Sequence, residues 1–172
     1  MLSKILKKST CADCKFCCVF RKKSLWEVPN FPLEKMDELT KLAVTPPVFT
    51  EGKALTLHLE GLYKTTCEEE TAPCNFLDSQ KGCKLTDDLK PLQCKIWPFR
   101  IVKRHSKNYL IFETTCPALG DTLTAELREF AKTLMPDLKK YIEARPYVAL
   151  DDKEGKTRGL PVVCCLDDSE EK

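Results

Sequence analysis

Cys11, Cys14, Cys17 and Cys18 place four thiols within eight residues near the start of the chain. On a helix turning about 100° per residue, all four fall within an arc of roughly 120°. In a loop they could wrap one centre, as the C-x2-C-x2-C run of a ferredoxin does. Either geometry concentrates soft sulfur donors and points to a soft or borderline metal. Further cysteines stand at 67, 74, 83, 94, 116, 164 and 165, giving eleven in all. Several have turn-forming neighbours: Pro73 before Cys74, Gly82 before Cys83, Pro98 four residues after Cys94, and Pro117 after Cys116. Such residues bend the backbone and allow distant sulfurs to converge on one ion.

The redox setting follows from what the sequence lacks. Met1 to Lys8 contains no apolar stretch of the roughly 7–15 residues that a signal peptide needs. No run of about 18 apolar residues occurs either, so no membrane span is expected. The chain therefore reads as cytoplasmic, and in a reducing compartment clustered cysteines bind metal or catalyse rather than form disulfides. An odd count of eleven also fits poorly with complete pairing. The net charge is +2, too small to argue for nucleic acid or a membrane surface. Its distribution is uneven. Seven basic residues and one acid, Asp13, lie between Met1 and Lys23; five basic residues and no acid lie between Lys95 and Lys107. Positive surroundings favour thiolates, while the sparse aromatics among these cations argue against a nucleic-acid surface.

The elements that must position these cysteines are short. The quartet lies on a helix or a tight loop over about residues 10–20. Leu33, Met36, Leu39, Leu42 and Ala43 repeat at helical spacing, and Pro46-Pro47 ends that segment. Residues 55–60 alternate apolar and polar as a strand does. Cys74-Asn-Phe-Leu and Gly82-Cys-Lys-Leu bracket a hairpin or tight loop. A short helix is expected from Asp87 to Cys94, capped by Thr86 or Asp87. Two strands, 99–103 and 109–113, are joined through Arg104-His-Ser-Lys-Asn. From Asp121 to Ala144 an apolar stripe of Leu123, Leu127, Phe130, Leu134, Leu138 and Ile142 marks the longest helix, with Pro136 expected to kink it. The two histidines, His58 and His105, fall on a polar strand position and in a basic loop, and are read as solvent-facing. The charged end after Asp167 is expected to be disordered.

Taken in order, the motifs C-x2-C-x2-C-C, C-x-F-L, G-C-x-L, K-P-x-x-C-x-x-x-P-F and C-P-x-L-G resemble the YkgJ-type cysteine cluster family, described as zinc- or iron-chelating. Lysine N-methylases of the FliB type, which act on flagellin, carry a similar domain. The matching residues are Cys11, Cys14, Cys17 and Cys18; Cys74, Phe76 and Leu77; Gly82, Cys83 and Leu85; Pro91, Cys94, Pro98 and Phe99; and Cys116, Pro117, Leu119 and Gly120. The chain departs from the family at Thr86, Lys90 and Trp97, where Tyr, Arg and Phe are usual. Lys90 keeps a charge but loses the guanidinium fork. Cys67, Cys164 and Cys165 lie outside the pattern.

The resemblance implies eight metal ligands: Cys11, Cys14, Cys17, Cys18, Cys74, Cys83, Cys94 and Cys116. Two tetrahedral zinc sites of four thiolates would use that number. An iron–sulfur cluster, such as [4Fe–4S], would use four and leave the rest for a second site or free. Trp97 and Phe99 are expected to shield the metal from solvent. The function expected is metal binding, with the metal ion or cluster as the primary partner. Alternatives are a metal-dependent enzyme of the lysine N-methylase type acting on a protein substrate, or a zinc-stabilised module for a protein partner. A glycine-rich nucleotide loop is missing from the sequence. The fold expected is α+β: a small irregular metal-centred domain with short helices, a small antiparallel sheet and a C-terminal helix. Residues 1–145 form the cysteine-cluster domain, with its motif core at 11–120 and a helix at 121–145. Residues 146–172 form a partly disordered extension.

Overall fold

A computed structural model describes residues 5–167. Helices and strands are both substantial, and the strand pairs are antiparallel with one exception, which makes the fold α+β. The chain divides into two compact units, one ending at Lys95 and the other starting at Ile96. Among the described residues no helix is long and apolar enough to cross a membrane. The expected disordered end beyond Asp167, and the first four residues, lie outside the described range.

The first unit is built from short pieces. Helix α1 (Lys8–Cys14) ends at Lys15, whose φ of 55° lies in the left-handed region, and a 3-10 turn over Phe16–Cys18 follows. The quartet thus occupies a helix and a turn, because Lys15 breaks the helix between Cys14 and Cys17. Strand β1 (Val19–Arg21) then pairs antiparallel with β5 (Thr71–Pro73). A three-stranded sheet orders β2 (Asn30–Phe31), β4 (Leu55–Leu57) and β3 (Phe49–Glu51) with β4 in the centre. Leu55 and Leu57 are buried and Thr56 between them is less so, as the period of two requires. Helix α2 (Met36–Leu42) buries Leu39 and follows a 3-10 turn at Leu33–Lys35. Phe31 and Phe76, both essentially inaccessible, stack at 5.4 Å at the centre of the core. Leu39, Leu55, Leu59 and Leu85 join that core, and Cys74 and Cys83 lie against it.

The predicted hairpin is present as β6 (Leu77–Asp78) and β7 (Gly82–Cys83), with Asp78 Oδ1 accepting from the amides of Gln80 and Lys81 to close the turn. The short helix expected from Asp87 is divided. The Thr86 carbonyl closes a turn with the amides of Leu89 and Lys90, and α3 (Leu92–Ile96) starts after Pro91. Proline has no N–H to continue the first turn but has the right φ to begin the next.

The second unit centres on a four-stranded sheet in the order β10 (Leu150–Asp151), β8 (Phe99–Arg104), β9 (Lys107–Phe112) and β11 (Val162–Cys165). The predicted pair is β8 (Phe99–Arg104) and β9 (Lys107–Phe112), antiparallel throughout. The loop between them is only His105 and Ser106, both at positive φ, 47° and 70°, the conformation of a two-residue type I′ hairpin. Residues 146–167, read from sequence as an extension, contribute β10 (Leu150–Asp151), parallel to β8, and β11 (Val162–Cys165), antiparallel to β9 with a bulge between Val162 and Cys164. Helix α4 (Ala125–Ala144) is continuous through Pro136. It starts later than Asp121 because Thr124 caps it, its side chain accepting from the Leu127 amide. The buried stripe is Leu127, Ala131, Leu134, Leu138 and Ile142, and Phe130 meets Phe99 of β8 with ring centroids 6.3 Å apart.

Candidate metal centre

Backbone hydrogen bonds bring three cysteine-bearing stretches of the first unit side by side. The β1–β5 ladder ends where the Cys74 amide donates to the Cys18 carbonyl at 2.8 Å. Pairing of residues near 18 and 74, 56 positions apart, is therefore fixed by the strands, not by the thiols. The Cys74 carbonyl in turn accepts from the Leu77 amide at 2.9 Å, and Leu77 stands opposite Cys83 across β6 and β7. Helix α1 is held to the same hairpin at its narrowest point, Ala12 against Gly82. The Lys15 ammonium donates to the Ser79 carbonyl and ties the left-handed residue to the hairpin tip.

The thiols on this frame are half-buried at Cys17, Cys18, Cys74, Cys83 and Cys94. Three of them, Cys17, Cys74 and Cys94, are shifted in the same direction. The Cys17 thiol is held far above its ordinary range, first by a hydrogen bond with Cys18, then by burial and the Cys18 charge; Lys90 acts the other way. Burial pushes the Cys74 thiol up to about 12, against a hydrogen bond from the Phe76 amide, and Cys83 and Cys17 add to the rise. Cys94 is likewise raised well above the usual thiol range, by burial first and then by Cys17, Cys74 and Cys83, with Lys90 again opposing. Burial and a neighbouring like charge both disfavour the thiolate form. Lys90 is the cation that opposes the rise at both Cys17 and Cys94.

The other sequence-predicted ligands are placed as follows. Cys11 is half-buried and Cys14 exposed, both on α1. Cys116 is buried and belongs to the second unit, where its carbonyl accepts from the Gly120 amide at 2.9 Å and closes a turn. Cys67 is exposed, in a loop organised by the Glu70 carboxylate, which accepts from the amides of Lys64 and Thr65. Cys164 and Cys165 are half-buried on β11. His58 is exposed, 3.8 Å from Glu60, just past β4. Phe99 is buried between Phe112 and Phe130 in the second unit, and the Arg100 guanidinium lies 5.6 Å from the Trp97 ring centre.

The donor types suit a thiophilic cation, being all sulfur and sheltered from water. As the side chains stand, however, no three Cys, His, Asp or Glu among the described residues are arranged to hold a metal ion. Two positions that matter to this site escaped the sequence reading. Spacing marks Gly82 as a turn residue and a motif position, and does not show that its missing Cβ is what admits α1. Spacing marks Lys90 as a retained charge, and does not show that it favours the thiolate forms of Cys17 and Cys94. Comparison of the chain with protein-family models, with curated proteins and with solved structures finds no match in any of the three.

Proposed function

We propose that this chain binds a thiophilic metal, as zinc or as an iron–sulfur cluster, through Cys17, Cys18, Cys74, Cys83 and Cys94 of its first unit. One observation supports the reading: strand pairing and the Cys74–Cys18 hydrogen bond bring the backbones of two half-buried cysteines from distant stretches side by side. Half-buried cysteines on adjoining stretches are more than a packing role needs, since a buried cysteine that only fills space requires no sulfur neighbours. The ordered motif series shared with the YkgJ-type family supports the same reading and adds Cys11, Cys14 and Cys116, which enter on the resemblance alone.

Binding in such a site would draw the thiol side chains inward from their present rotamers, and the free energy of binding would become folding free energy. The test is metal analysis with an optical spectrum on protein purified without oxygen. Broad visible absorbance bleached by dithionite supports a cluster, and a colourless protein with stoichiometric zinc supports the tetrahedral alternative. Protein with neither metal, unable to take up zinc or iron while reduced, overturns the proposal.

A further inference from the structure

We propose that a cationic cleft in the second unit, remote in chemistry from the cysteines, binds a small molecule through its phosphate group. The cleft has a volume of about 680 Å³ and lies between the His105-Ser106 turn and the segment that follows β10. Lys103, Arg104, Lys153 and Arg158 line it, against only two carboxylates, Asp151 and Asp152. Both carboxylates are committed. Asp152, with a side chain 2% exposed, accepts from Arg104 Nε at 3.1 Å, from the Thr157 amide at 3.1 Å and from the Thr157 hydroxyl. Asp151 pairs with Lys153 at 2.9 Å. Lys103, Arg158 and the imidazole of His105 are left facing the cleft with no carboxylate partner among the described residues.

The frame that holds these groups is already formed. The Asp152 amide donates to the Lys103 carbonyl at 3.1 Å, the Gly155 amide to the Asp152 carbonyl at 3.1 Å, and the Arg158 amide to the Gly155 carbonyl at 3.0 Å. A site of fixed backbone loses little entropy on binding. Its volume falls in the usual range for small-molecule sites, about 300–1,000 Å³. No Phe, Tyr or Trp lines it, so it offers charge and N–H donors but no stacking platform. Two cations without a carboxylate partner among the described residues match a phosphate monoester, which carries about −1.5 to −2 at neutral pH, and the planar Arg158 fork suits paired phosphate oxygens.

The test is calorimetric titration of the full chain with inorganic pyrophosphate. The wild type should bind saturably, one per chain. Lys103→Gln and Arg158→Gln should each weaken binding about tenfold or more, the loss expected for hydrogen bonds to a charged partner. Lys84→Gln, an exposed lysine of the first unit, should bind as the wild type does. Lys103 is exposed, so its variant decides the matter even if Arg158→Gln disturbs the turn at Gly155. Absence of saturable binding, or equal affinity in wild type and Lys103→Gln, overturns the proposal.

Discussion

Gly82 and Ala12 touch so closely that a Cβ built at Gly82 would lie 2.9 Å from the Ala12 Cβ and 3.0 Å from its Cα. The glycine also sits at a φ of 77°, a region that side chains avoid. Two demands converge on one residue, and both concern the same join, that of the helix carrying Cys11 and Cys14 to the strand carrying Cys83.

Gly82→Ala should therefore destabilise the first unit by about 2–5 kcal/mol. Roughly 1–2 comes from the left-handed backbone and roughly 1–3 from overpacking against a helix backbone that cannot yield cheaply. Urea denaturation measures it. Cys11, half-buried in the wild type, should also alkylate faster as α1 is pushed off the hairpin. Wild-type stability with unchanged alkylation would mean that α1 is not seated on β7.

The cysteines separate into groups that mutation can distinguish. Cys74→Ser and Cys94→Ser should abolish stoichiometric metal and lower the melting temperature far beyond a packing defect, because a structural metal contributes on the order of 10 kcal/mol in zinc-finger peptides. Cys14→Ala should also lose metal if the resemblance assigns α1 correctly. Cys67→Ser, at an exposed loop position, should leave metal content and melting temperature as they are. Metal content by mass spectrometry beside thermal melts checks all four variants.

How much of this was legible beforehand depended on the range of the cause. The β8–β9 pair was visible because Ile101, Leu110 and Phe112 carry their β propensity locally, and α4 was visible because its apolar stripe repeats over five turns. The hairpin loop was read as five residues, since His105-Ser106 lacks the Asn-Gly signature of a type I′ turn and only the strand register forces both residues to positive φ. Strands β10 and β11 were not anticipated. Two and four residues long, they are fixed by their partners β8 and β9 and have no pattern of their own. The sheet consequently has one parallel edge where an antiparallel one was expected. The quartet and the later cysteines stood out by type, but the pairing of Cys18 with Cys74 is a long-range contact that spacing does not encode.

Arg100 and Glu113 form an ion pair at 2.7 Å with both side chains 8% exposed. Such a pair contributes little net stability, because desolvation offsets the attraction, but removing one partner strands the other. Glu113→Ala should cost about 3–5 kcal/mol. Replacing both residues with apolar side chains, Arg100→Met with Glu113→Leu, should restore most of that loss. Chemical denaturation of the two variants gives the comparison. A double variant as unstable as the single one would show that Arg100 matters chiefly through another contact, such as its position over Trp97.

Asp152 makes the second unit sensitive to acid. Burial alone would raise its carboxyl, but the hydrogen bonds from the Thr157 hydroxyl and amide and from Arg104 outweigh that and hold it below the usual range. A folded-state value below the unfolded one means that the stabilisation is fully present above the unfolded value, about 3.9, and drains away as pH falls through the lower folded value. At neutral pH Asp152→Asn should cost about 1.5–3 kcal/mol, the worth of hydrogen bonds to a charged acceptor. The difference between wild type and variant should shrink steadily as the solution is taken below about pH 4. Denaturation midpoints across that range are the measurement. A difference that stays constant down to pH 2 would mean that the carboxylate charge plays no part in holding the 151–159 segment to β8.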